Sequence, residues 1–186
     1  MALLLTGDRD QALLAMVIQE AHAVAEEQGG FVGRTAVQKI MYFLKAMDVP
    51  MDYSFDIYRY GPFCAEILRD TDWLAADHVI VDTSQKRGYS NYEPAESIDE
   101  LLALYLEELE PFREGIRELV QALIPLRPER LELLATLDYI GRQQRGAGTE
   151  PSKDSVLSKF MELKEDKFPR EEVESAYDAM AKAGLV

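Results

Sequence analysis

Along the chain the apolar positions change period, and each change predicts an element. Leu13, Leu14, Val17, Ala21 and Val24 recur at helical spacing, which predicts a first helix capped by Thr6 or Asp8 and running to about Glu27. Gln28-Gly29-Gly30 should end it, because glycine accepts the left-handed backbone that closes a helix. Val37, Ile40, Met41 and Leu44 share one face of a second helix, from about Arg34 to Ala46, and Pro50 breaks the pattern. The period then falls to two over Tyr53–Tyr60. Tyr53, Phe55 and Ile57 fall on one face, with Ser54, Asp56 and Tyr58 on the other, which predicts a strand. Gly61-Pro62 is expected to stop that strand and open a third helix to about Ala75, burying Phe63 and Ile67. Val79–Asp82 and Tyr89–Tyr92 flank Ser84–Gly88 and read as a hairpin.

Beyond residue 96 the pattern is helical throughout. Leu101, Leu102, Tyr105, Leu109, Ile116, Leu119 and Leu123 mark a stretch over 98–124, with Pro111 expected to open its second segment. Pro128 should begin a helix through about Tyr139, and Gly141–Ser152 reads as a flexible loop. Two further helices are expected near 153–164 and 170–183. The predicted fold class is mainly α with a small β component. Its order of helix, helix, strand, helix and hairpin suits a winged-helix-like unit over 1–96. A helical region over 97–186 would pack on that unit, or the two would form one continuous domain.

Composition narrows the function classes. The chain has 186 residues, 34 acidic and 20 basic, for a net charge of −14. The longest unbroken apolar run, Ala12–Ile18, is far too short for a bilayer span. Met1–Leu5 is followed by Gly7–Asp10 with no basic stretch before it, so a signal peptide is not expected. The single cysteine, Cys64, allows no internal disulfide and fits a reducing cytoplasm. Residues 1–96 carry 15 acids and 8 bases and residues 97–186 carry 19 and 12, so each half is at −7. Both helices that a DNA reader would need to keep basic are net acidic. The third holds Arg69 against Glu66, Asp70 and Asp72, and the last holds Arg170 and Lys182 against Glu171, Glu172, Glu174 and Asp178. Only Lys86 and Arg87, at the hairpin tip, suit contacts to DNA phosphate, and ordinary loop solvation explains them as well.

No constellation for catalysis stands out. Cys64, His22 and His78 share no nucleophile signature, and the apolar neighbours of Cys64 favour a packed thiol. Two histidines and one cysteine without ligand spacing argue against zinc. Asp8/Asp10 and Asp70/Asp72 lack the glycine and glutamate of a calcium loop, and no glycine run has the lysine of a phosphate loop. No cofactor and no enzymatic activity are therefore expected. The remaining candidate is aromatic: Tyr58, Tyr60, Tyr89 and Tyr92, with Arg59 between the first two. Packing against helices is the favoured alternative, although strand alternation keeps all four from pointing inward.

Two motifs add a resemblance. Arg34-Thr-Ala-Val-Gln-Lys-Ile-Met-Tyr-Phe-Leu44 resembles the opening of the Panacea domain, and Phe55-Asp-Ile-Tyr-Arg-Tyr-Gly-Pro62 is similar to that family's strand ending in Tyr-Gly-Pro. The family includes SocA-type antitoxins and GepA-type phage-associated proteins. From Leu131–Ile140 through Lys164–Phe168 to the last residues, the chain looks more like the related YwgA-like branch. The resemblance implies a cytoplasmic protein-binding module without a catalytic centre, whose partner would be a cognate toxin. It carries over Lys39, Tyr42, Tyr60, Gly61 and Pro62 as site residues. Tyr58 and Arg59 join them from the aromatic reading. Homodimerisation is compatible with the apolar faces over 98–124.

Overall fold

The computed structural model describes residues 3–185. Asp8 starts α1 (Arg9–Gln28) with a reciprocal cap: its carboxylate accepts the Gln11 N–H at 2.8 Å, and the Gln11 side chain accepts the Asp8 N–H at 3.3 Å. Gly29, at φ 73°, closes the helix. The run Ala12–Ile18 is completely buried, which is what a helix apolar on every side requires. The next four helices and the strand Tyr92–Pro94 pack around it. Glu20, the buried acid of this helix, accepts from Arg113 at 2.8 Å and Arg117 at 3.1 Å.

The helix α2 (Arg34–Ala46) has the bounds its apolar period predicts. In the next stretch, burial alternates over 53–58 as expected, but only β1 (Asp56–Tyr58) pairs. Its partner is a strand the sequence pattern did not predict, β2 (Gly61–Phe63), in the register Asp56↔Phe63 and Tyr58↔Gly61. Arg59 and Tyr60 are thus a two-residue turn. Gly61-Pro62 does not open a helix; α3 (Ala65–Ala76) begins only after Cys64. A sheet of two strands is all edge, so the missing Pro62 N–H costs no ladder bond, and its carbonyl is held by a lysine described below.

The second hairpin pairs β3 (Ile80–Asp82) with β4 (Tyr92–Pro94) in a separate sheet. The strand expected over Tyr89–Tyr92 starts only at Tyr92. The Thr83 N–H donates to the Asn91 carbonyl at 2.9 Å, and the Asp82 carboxylate accepts the Ser84 and Asn91 N–H groups at 3.0 and 2.9 Å, so side-chain bonds supplement the backbone there. After α4 (Ile98–Leu104), the helical stretch breaks at Tyr105, whose hydroxyl donates to the Gly7 carbonyl at 2.6 Å. Pro111 opens nothing: it is exposed inside α5 (Leu106–Leu123). The helix α6 (Pro128–Gly146) runs through the first half of the expected loop, with Gly141 buried in its packing face, so only 147–152 is irregular. Then come α7 (Lys153–Lys164), a single 3-10 turn (Glu165–Lys167) and α8 (Arg170–Lys182).

Two apolar clusters fill the interior. One runs from Ala12 to Ala135, across residue 96; the other, from Leu133 to Met180, joins α6, α7 and α8. The sides of α6 belong to both, and this places α6 under the first hairpin. No helix among the described residues is long and apolar enough to cross a membrane.

Candidate functional site

The first hairpin is held from behind at two of its carbonyls, and Cys64 just after it at both its backbone groups. From α2, the Gln38 amide brackets Cys64, with Nε2 donating to its carbonyl at 2.8 Å and Oε1 accepting its N–H at 2.9 Å. One residue on, Lys39 Nζ donates to the Pro62 carbonyl at 2.7 Å. From the end of α7, Lys164 Nζ donates to the Arg59 carbonyl at 2.9 Å. From α6 comes the carboxylate that makes this bearable, Glu132. It is buried, and accepts from Lys164 at 3.0 Å and Lys167 at 2.6 Å. A carboxylate between Leu131 and Leu133 on a packing face has to be paired, because burying it alone would cost several kcal/mol.

Three lysines therefore gather around one carboxylate. Burial pulls the Lys39 amine down to about 8; Glu132 opposes that shift, while Lys164 and Lys167 add to it. Burial lowers Lys164 as well. Gly61 completes the clamp. Its φ is +84°, and a Cβ there would stand 2.7 Å from Thr136 Oγ1, which itself donates to the Glu132 carbonyl at 2.7 Å. The turn is thus pressed against α6 where only glycine fits.

The outward side is different. Tyr58 is 68% exposed and Tyr60 53%, with Arg59 exposed between them. The Tyr58 ring rests on Phe63 with centroids 5.6 Å apart. Above the Tyr60 ring stand the Lys167 amine at 4.8 Å and the Arg59 guanidinium at 5.6 Å. Charge here is locally cationic, opposite to the chain as a whole.

The other sequence-predicted residues are spread more widely. Tyr42 does not reach the turn. It is buried, and its hydroxyl donates to Asp138 at 2.6 Å, a carboxylate that Arg142 also holds at 2.8 Å. Burial first, and then the Asp138 charge, push the Tyr42 phenol far above its ordinary range. Lys39 thus sits behind the hairpin and positions it, Tyr42 packs on Phe55 just before β1 with ring centroids 5.6 Å apart, and Tyr58, Arg59 and Tyr60 form the hairpin's face. Of the four tyrosines, only Tyr92 packs inward, and Tyr89 is exposed. Lys86 and Arg87 lie exposed at the second tip, with the Lys86 amine 4.1 Å above the Tyr89 ring. On α3, Arg69 is already engaged, pairing with Asp70 at 3.2 Å and stacking on Trp73 at 4.7 Å. Cys64 is buried, and burial raises its thiol. Among the described residues no group of three or more His, Cys, Asp or Glu gathers to hold a metal.

Sequence reasoning missed Glu132, Thr136, Lys164 and Lys167. The available signal was Glu132 itself, an acid flanked by leucines on a helix.

No family model matches the chain. The chain is similar to the uncharacterized protein YwgA of Bacillus subtilis (strain 168), 24% identical over 154 residues that cover 82% of this chain and 87% of that one. The similarity runs over most of both chains and supports a YwgA-like affiliation.

Proposed function

We propose that this protein is a non-enzymatic protein-binding module, antitoxin-like, that grips a protein partner through the Tyr58-Arg59-Tyr60 turn. The observation that carries the reading is the contrast across that turn. Two tyrosines and an arginine face solvent, while the backbone beneath them is fixed by Lys39, Lys164 and Gly61. Tyrosine and arginine dominate binding energy at protein interfaces, and an anchored turn loses little conformational freedom on binding. The order of α1, α2, β1, α3 and the second hairpin supports a winged-helix-like scaffold, used here to hold a protein. The Tyr-Gly-Pro ending and the helix motif support a Panacea-type relationship, in which the partner would be a toxin encoded nearby and the setting would be the cytoplasm. A DNA-binding use of the same scaffold is disfavoured by the engaged Arg69 on α3 and by the stacking of Lys86 on Tyr89.

The test is co-expression with the product of the neighbouring gene. The reading predicts that the wild-type chain relieves that product's toxicity, and that Tyr58→Ala/Tyr60→Ala abolishes relief without lowering the thermal midpoint. A non-toxic neighbour together with no specific crosslink from position 60 would overturn it.

A further inference from the structure

The first hairpin has one held strand and one open edge. Tyr58 pairs with Gly61 across the two-residue turn and Asp56 with Phe63, while Ile57 stands opposite Pro62. A two-residue turn puts the ladder bonds on Tyr58 and Asp56, so the N–H and carbonyl of Ile57 point away from β2. The Ser54 N–H also points inward, at the Cys64 thiol. By the same alternation Phe55 joins Ile57 on the outer side. Among the described residues neither Phe55 nor Ile57 has a backbone bond outside the hairpin. α2 and α6 hold β2, at Pro62 and Gly61, and the outward groups of β1 are left as a template for another strand.

The run that carries this edge also lines a cleft of about 450 Å³. Ser54 and Phe55 stand on one side of it and Tyr139 and Arg142 of α6 on another, with Lys45 from the end of α2. The charged side chains of the lining are Lys45 and Arg142, without an acid among them. Arg142 is answered from beneath by the buried Asp138 at 2.8 Å. Lys45 is exposed and donates to the Met51 carbonyl, a neutral acceptor, and among the described residues it forms no ion pair. One positive charge therefore stands uncompensated beside the open edge.

We propose that the β1 edge and this cleft receive an extended, acidic segment of a protein partner, which pairs with Phe55 and Ile57 as a third strand and brings a carboxylate to Lys45. The proposal rests on the reading of the neighbouring turn as a partner grip and names the chemistry of what is gripped. Main-chain bonds to the edge give affinity for any extended chain, while the aromatic cleft and Lys45 select an apolar and an acidic side chain. Charge also decides between occupants. Two copies of a chain at −14 repel one another, which disfavours a second copy as the third strand.

Selection of a random linear peptide library on the full chain, followed by amide hydrogen exchange, tests this. The expected peptides alternate apolar and polar residues and carry Asp or Glu. Once bound, they should slow exchange at the Ile57 amide about tenfold or more, while the Tyr58 amide, bonded across the turn to Gly61, is slow with or without peptide. Ile57→Pro removes the outward N–H and no bond to β2, so it should keep the fold and weaken the selected peptides about tenfold or more, whereas Ile57→Val should bind as the wild type does. Lys45→Glu should weaken them similarly. No enrichment of acidic peptides, an Ile57 amide that stays fast in the complex, or undiminished binding by a folded Ile57→Pro chain would overturn the proposal. So would an Ile57 amide already slow in the free chain through dimerisation. The selection needs no neighbouring gene product, so its failure is separable from failure of the turn reading, which co-expression judges alone.

Discussion

The two hairpins are built from opposite principles. In the first, buried Lys164, paired with the buried Glu132, takes the Arg59 carbonyl of a two-residue turn, and buried Lys39 takes the Pro62 carbonyl in β2. The second spans residues 83–91 between its strands; its loop is bonded through Asp82, Thr83 and Asn91, and it is tied to the rest of the fold at its base, where Asn91 and Tyr92 bond to Val32. At its basic tip the Lys86 amine stacks on the Tyr89 ring. Both expose tyrosine and arginine, so exposure alone would rank them equally. The difference is what lies behind. A surface loop free to move pays conformational entropy when it binds, and a turn locked to three helices has already been ordered by folding.

Breaking the buried charge should separate the hairpins most. Glu132→Gln leaves Lys164 and Lys39 buried without a counter-charge and should destabilise by about 3–5 kcal/mol in chemical denaturation. Asp82→Asn, which keeps an acceptor in the second hairpin, should cost about 1 kcal/mol. The glycines offer a matched pair, because Gly61 and Gly88 both have φ +84°. Gly88→Ala meets open space and should cost about 1 kcal/mol of backbone strain, whereas Gly61→Ala also drives a methyl into Thr136 and should cost about 3 kcal/mol.

Alkaline titration gives a smaller effect. Lys39 falls from an ordinary 10.5 to about 8 in the folded chain. Between those values the unfolded chain still holds the proton that the folded chain has lost. Stability therefore rises with pH across that window, by at most about 1.4 kcal/mol per unit. Above about pH 10, Tyr42 and Tyr53 act the other way, since their buried phenols stay protonated while unfolded ones ionise. Denaturation midpoints should peak near about pH 9–10, and Lys39→Met should flatten the rising limb, leaving the part contributed by Lys164. The smallest effect belongs to the second tip. Lys86→Ala removes an exposed cation–π contact and should change stability by no more than about 0.5 kcal/mol.

The helices were legible wherever a local signal sufficed: a cap at Thr6 or Asp8 for α1, the apolar face of α2, and the starts of α7 and α8. β2 was not, because Gly61-Pro62 carries the same local chemistry whether it opens a helix or forms an edge strand. The tertiary contacts of Lys39 and Thr136 decide the matter. Gly141 misled for a related reason. Its helix penalty of about 1 kcal/mol is outweighed by packing at a buried position, which composition does not reveal. Of the candidate site, the exposed residues Tyr58–Tyr60 and the positioning Lys39 were readable from motif and alternation. The clamp was not, since Glu132 and Lys164 are 32 residues apart and meet only through the α6–α7 packing.

The central claim is that the first hairpin, anchored at its turn, and not the second holds the partner. Titrating the neighbouring gene's product against wild-type, Tyr58→Ala/Tyr60→Ala and Lys86→Glu/Arg87→Glu chains tests it most directly. The anchored-hairpin account predicts a loss of about a hundredfold or more in the tyrosine variant, equivalent to at least about 2.7 kcal/mol, and less than about threefold in the charge-reversed one. Undiminished binding by the tyrosine variant, with binding lost in the Lys86→Glu/Arg87→Glu chain, would contradict it.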